Sequence, residues 1–130
     1  SFYSEIEENL GLNITMNNGY LTTHVLDVSI GRPASAIHIK LLDEDEQIVH
    51  ETKTNNDGRT DAPILSGTAF KKGKYSLIFS VKDYLIAKHQ PVDEPFYNQI
   101  RIEFVISDSG DHYHVPLLLS PYGYSTYRGS

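Results

Sequence analysis

The sequence predicts an all-β protein, a two-sheet β-sandwich of about eight strands with one short helix. Three observations carry that expectation. From Tyr20 onward most runs alternate apolar and polar residues with the two-residue period of half-buried strands. The runs are short and separated by turn chemistry at Gly31-Arg32-Pro33, Asp43 to Glu46, Asn55-Asn56-Asp57-Gly58 and Ser107 to Asp111. Only Lys82 to His89 reads as a helix, with Val81, Tyr84, Leu85 and Lys88 on one side.

The elements follow in chain order. Leu21 to Val28 is rich in β-branched residues and forms the first strand, with Thr22, His24 and Leu26 on one face. Gly31-Arg32-Pro33 breaks it. Ala36 to Leu42 puts Ile37, Ile39 and Leu41 on one face, and Ala36, His38, Lys40 and Leu42 on the other. The acidic turn Asp43 to Glu46 leads to a third strand, Gln47 to Thr54. Tyr75 to Val81 is a fourth, followed by the helix and a loop bracketed by Pro91 and Pro95. Gln99 to Ser107 alternates through Ile100, Ile102, Phe104 and Ile106. Ser107 to Asp111 is expected to close a hairpin, so that His112 to Leu119 pairs back on the preceding strand. Tyr122 to Arg128 follows Pro121 as the last strand.

At 130 residues the chain is one domain, long enough to bury a core without staples. Residues 20–130 are expected to form it, behind an acidic extension at 1–19 that has no clear period. A short helix over Ile6 and Leu10 is one option there, and Asn13-Ile14-Thr15 matches a glycosylation sequon. No cysteine is present, which removes disulfides and thiolate chemistry. A net charge of −6 with scattered basic residues argues against a nucleic-acid partner. No apolar run approaches the ~20 residues of a membrane span, so no membrane partner is expected. Cytoplasm is the expected compartment; the periplasm accommodates the same composition.

The polar groups that stand out cluster at the two ends of the domain. His112, His114 and Pro116 share one face of their strand, with Tyr113, Val115 and Leu117 toward the core. His24 lies on the first strand, Arg59 follows the Asp-Gly turn, and Ser125, Tyr127 and Gly129 share a face near the end. Taken singly, each can be read as a solvated side chain, with His24 poised evenly between that reading and a functional one. His112-x-His114 is also metal-ligand spacing, but no third ligand is evident nearby, so neither metal nor cofactor is expected.

Three blocks carry a resemblance: LTTHVLDVSIGRPASAIHI (Leu21 to Ile39), TNNDGRT (Thr54 to Thr60) and HYHVPLLLSPYGYSTYRGS (His112 to Ser130). Together the chain resembles the transthyretin-like family over roughly residues 20–130, and within it the enzyme branch, the 5-hydroxyisourate hydrolases. The carrier branch lacks the histidines, the arginine and the Tyr-Arg-Gly-Ser ending that stand here at His24, Arg59, His114 and 127–130. The resemblance implies opening of the six-membered ring of 5-hydroxyisourate by water, giving 2-oxo-4-hydroxy-4-carboxy-5-ureidoimidazoline in urate degradation. It implies a homotetramer, a dimer of dimers around a central channel. It assigns catalysis to His24, Arg59, His114 and Ser130, and substrate binding to His24, Arg59 and Tyr127, with His112 and Arg128 in support. One departure is Phe96-Tyr97-Asn98, where many members have proline after the aromatic pair; an altered loop with intact chemistry is expected.

The chemistry suits those residue types. Histidine titrates near working pH and serves as a general base. A guanidinium clamps carbonyls and offsets developing charge. A phenol binds a flat ring, and Ser130 would orient a histidine or hold Arg128. Whether His24 or His114 activates water stays open at this stage. Two alternatives also stand: a non-catalytic carrier of an aromatic ligand in the channel, and a structural sandwich using His-x-His for zinc.

Overall fold

The computed structural model describes residues 18–89 and 94–129. The helix considered at Ile6 and Leu10, the Asn13 sequon, Pro91 and Ser130 lie outside the described residues. Eleven strands, one α-helix and a single 3-10 turn at Gly67–Ala69 are the regular elements of the described residues. The strands and the helix are β1 (Tyr20–Thr22), β2 (Val25–Asp27), β3 (Arg32–Pro33), β4 (His38–Leu42), β5 (Ile48–Lys53), β6 (Leu65–Ser66), β7 (Gly73–Ser80), α1 (Lys82–Lys88), β8 (Gln99–Ile106), β9 (His112–His114), β10 (Leu117–Ser120) and β11 (Gly123–Thr126).

One layer is the antiparallel sheet β5-β4-β7-β8. The other consists of two sheets in line, β6-β1-β9 and β11-β10-β2-β3. β1 and β2 are one strand interrupted at Thr23-His24, and β9 and β10 are one strand interrupted at Val115-Pro116. The two pair in parallel, with Tyr20 opposite His112 and, in the same register beyond the interruption, Val25 opposite Leu117. The cause is local. Pro116 has no N–H for the ladder, and the buried Thr23 hydroxyl takes the Val115 carbonyl at 2.6 Å. Val25 N turns to the Gly58 carbonyl instead, at 2.8 Å. That break aims His24 outward beside the 55–59 turn.

Alternation fills the core as predicted. Leu21, Val25, Leu117 and Leu119 from one layer meet Ile37, Ile39, Leu41, Leu77, Phe79, Ile100 and Ile102 from the other. Burying a side chain of this kind contributes about 1.5–3 kcal/mol. Tyr84 and Leu85 anchor α1 to this core.

Three expectations need correction. His112 to Leu119 does not pair back on 99–107: among the described residues β8 pairs only with β7, and residues 107–111 carry the chain across to the other layer, beside β1. Tyr113 drives the crossing, since its ring is buried while its hydroxyl accepts the N–H groups of Ser107 and Asp108 at 3.0 and 3.1 Å. Arg32-Pro33, read as a break, forms the short edge strand β3 on β2, a place where proline's missing donor faces no neighbour. Lys88 is exposed, because the amphipathic stripe ends a turn earlier at Leu85.

Candidate active site

The site begins with the interrupted strand pair. Because β1 runs parallel to β9, Thr22 lies opposite His114. Its hydroxyl Oγ1 sits 2.7 Å from His112 Nε2 and 2.7 Å from His114 Nδ1. His114 Nε2 in turn lies 2.8 Å from His24 Nδ1. The four side chains form one unbranched chain of hydrogen bonds, His112–Thr22–His114–His24. Among the described residues, none bonds the nitrogens at its two ends, His112 Nδ1 and His24 Nε2. Tyr20 stacks flat on His112, with ring centroids 4.1 Å apart and planes at 16°.

Arg59 arrives from the 55–59 turn. Asn55 builds that turn: its Oδ1 accepts from Asp57 N at 2.9 Å and Arg59 N at 3.2 Å, and its Nδ2 donates to Asp61 at 3.0 Å. Gly58 takes a positive φ of 71°, and a Cβ there would meet the Val25 carbonyl at 2.4 Å. Buried Thr54 ties the turn to the sheet, accepting Ile37 N and donating to the Ala34 carbonyl. The result is a backbone bridge between Arg59 and His24.

The tail closes the other side. Gly129 N donates to the His114 carbonyl at 2.7 Å. Arg128 donates to the His112 carbonyl at 3.3 Å, pairs with Asp111 at 3.5 Å, and lies 3.9 Å over the Tyr113 ring. Two cavities result. One, of about 440 Å³, is lined by Thr22, Arg59, Asp61, His112 and His114 among others. The second, of about 800 Å³, lies between His112, His114 and the tail residues Tyr127, Arg128 and Gly129, with Asp111 at its side. The histidines are the wall the two share.

The electrostatics follow from this packing. Burial, then the charges of His24, Arg59 and His112, push His114 down to about 4. Burial and Arg59 also lower His24. Both imidazoles are therefore neutral at neutral pH and ready to accept a proton.

Of the residues singled out in the sequence, His24, His112 and His114 come into one network, and Arg59 flanks it. Tyr127 lines only the second cavity, on the tail side, and Arg128 holds the β9 backbone. Ser130 lies outside the described residues. Sequence reasoning missed Thr22, the hub of the network, and Tyr20. Thr22 shares a face with His24 by simple alternation; what hid it was the assumed partner of the His112 strand. No group of three or more His, Cys, Asp or Glu side chains fit to hold a metal ion occurs among the described residues.

A sandwich in which one layer is two in-line sheets sharing a parallel, proline-interrupted strand pair, with a histidine network at the interruption, defines a class. The chain belongs to the HIUase/Transthyretin family, whose model matches residues 21–129. It is 47% identical to the protein named 5-hydroxyisourate hydrolase 2 of Rhizobium meliloti (strain 1021), over 87% of this chain and 98% of that one. Among solved structures it is similar to Klebsiella pneumoniae 5-hydroxyisourate hydrolase, with TM-score 0.73 and 35% identity over 86% of this chain and 99% of that one. It is also similar to (S)-allantoin synthase, with TM-score 0.83 and 38% identity; 96% of this chain spans 48% of that one. No helix among the described residues is long and apolar enough to cross a membrane.

Proposed function

We infer that this chain hydrolyses 5-hydroxyisourate, opening its six-membered ring to give 2-oxo-4-hydroxy-4-carboxy-5-ureidoimidazoline. Relatives of that name cover nearly their whole length with this chain. The observation that carries the reading is the His24–His114 contact of 2.8 Å beside Arg59. A carrier of aromatic ligands needs an apolar lining. The cavity here presents a guanidinium, a carboxylate and two imidazoles.

The network supports His24 as the histidine that meets water. Both ring nitrogens of His114 are engaged, by Thr22 and by His24. His24, joined to Arg59 by a backbone bridge and carrying a pKa lowered in part by the charge of that arginine, keeps Nε2 open. In the productive tautomer His24 Nδ1–H donates to His114, which leaves a lone pair on Nε2 to take the proton of the attacking water. The water oxygen bonds to the ring carbonyl carbon, and Arg59 offsets the charge on its oxygen. The ring C–N bond then breaks, and His24 returns the proton to the leaving nitrogen. Tyr127 contributes a phenol to substrate binding. Ser130 completes the catalytic set by the family motif, with His112 and Arg128 in support.

The protomers assemble as a homotetramer of two dimers. Edge strands β8 and β11 support this, since Val105 is 55% and Tyr124 45% exposed. Sedimentation should give four copies of 14.7 kDa. Cytoplasm is the proposed compartment, on composition, and cell fractionation tests it.

The experiment for the activity follows decay of the ultraviolet absorbance of substrate freshly made from urate by urate oxidase. His24→Asn and His114→Asn should each lower kcat by about 10²–10⁴-fold. Near-wild-type rates in both variants would reject this assignment.

A further inference from the structure

Hydrolysis of a cyclic amide has a proton balance that the base alone does not complete. Water supplies a hydroxyl to the carbonyl carbon and a hydrogen to the leaving nitrogen. The new carboxylic acid, with an ordinary pKa near 4, then loses its proton at neutral pH. One proton is therefore released in every turnover, and the acid that yields it forms in the cavity beside Arg59.

We propose that the chain His24–His114–Thr22–His112 is the outlet for that proton, and that it discharges from the open His112 Nδ1 into the second cavity, on the tail side of the shared histidine wall. The proposal rests on the hydrolase reading above. Each link lies at hydrogen-bond distance: 2.8 Å from His24 to His114, then 2.7 Å from His114 to Thr22 and 2.7 Å from Thr22 to His112. A hydroxyl donates one proton while accepting another, so Thr22 relays between two imidazoles that would otherwise end there.

The hops are balanced. The acid's proton binds His24 Nε2, and the His24 Nδ1 proton passes to His114 Nε2. The His114 Nδ1 proton passes to Thr22 Oγ1, whose own proton passes to His112 Nε2. The His112 Nδ1 proton departs. Each group ends neutral with its hydrogen bonds reversed. After product leaves, exchange with water at the two open ends restores the starting polarity.

The exit is suited to its task. His112 lines both cavities and is held by Tyr20, stacked on its ring. Asp111, an acceptor for protons on their way to bulk water, lies along the second cavity, with Arg128 paired to it at 3.5 Å. Thr22 and His112 are thus relay groups that act through His114 and His24.

The test measures kcat of the wild type, Thr22→Val, Thr22→Ser and His112→Gln in weak buffer and with added imidazole at pH 7. Valine keeps the branched shape of threonine without the hydroxyl; glutamine keeps a hydrogen bond to Thr22 without passing protons. Thr22→Val and His112→Gln should lose about 10²-fold in kcat in weak buffer, the lower end of acid–base contributions, with KM unchanged. Imidazole should restore them, while Thr22→Ser should match the wild type without it. A loss of rate that imidazole leaves untouched would mean a structural role and overturn the outlet, as would full activity of both variants in weak buffer. If Thr22→Val fails to fold, the His112→Gln result decides alone. A wild type that does not turn over 5-hydroxyisourate would instead sink the underlying hydrolase reading.

Discussion

At the scale of single residues, neighbours and not identities make these histidines useful. An isolated imidazole near 6.5 is half protonated in mildly acidic water. In this fold burial is the largest influence on both His24 and His114, and the Arg59 guanidinium acts in the same direction. The base must be neutral to accept a proton, so a lowered pKa extends activity toward acid. Arg59→Gln removes the positive charge, and both imidazoles should rise toward their ordinary value. The acid limb of kcat/KM should then move to higher pH, in addition to a general loss of rate. Arg59→Lys keeps the charge and should leave the limb in place, while losing the forked donors that clamp carbonyls. A pH–rate profile of the three proteins checks this; an unmoved limb in Arg59→Gln would show that the charge does not reach the base.

At the scale of elements, the strands were legible and their partners were not. Ile37, Ile39 and Leu41, or Ile100 and Ile102, announce themselves because a half-buried strand shows its period locally. The pairing of β9 with β1 is a contact between the two ends of the domain, with nothing local to mark it, and a loop at 107–111 reads equally as a hairpin or a crossing. That one unreadable pairing also hid Thr22, whose role exists only once His112 and His114 lie beside it. The tail shows the same dependence. A Cβ on Gly129 would lie 2.8 Å from His114 Cδ2, closer than such atoms approach. Gly129→Ala should therefore displace either the tail or the imidazole, and lower kcat well beyond its effect on Tm. The tail is largely exposed and contributes little to the core, so a thermal melt beside the absorbance assay separates the two effects. A large drop in Tm with activity preserved would contradict this view of the tail.

At the scale of the whole molecule, two ionisable groups, buried Asp27 and half-buried His114, tie the stability of the fold to pH in two windows. Asp27 is fully buried on β2; burial alone would raise its pKa, but hydrogen bonds from Ser29, His89 and Tyr84, with the charge of His89, outweigh that and hold it low. A carboxylate with a depressed folded pKa stabilises the fold above the unfolded value, near 3.9, and that contribution is lost as pH falls through the folded value. His114 acts earlier. It titrates at about 4 when folded and near 6.5 when unfolded. Between those values the unfolded chain binds a proton that the folded chain refuses, so stability declines as pH drops from 6.5 toward 4 and is intact above 6.5. Urea midpoints measured at pH 7, 5.5 and 4.5 should fall in the wild type. In His114→Asn, which cannot titrate, the fall over that interval should be shallower, while the collapse below pH 4 that belongs to Asp27 should remain. Parallel declines in the two proteins would mean that other groups, and not this imidazole, set the acid sensitivity of the fold. The same neutral network that makes the site a proton acceptor would then carry no cost in stability.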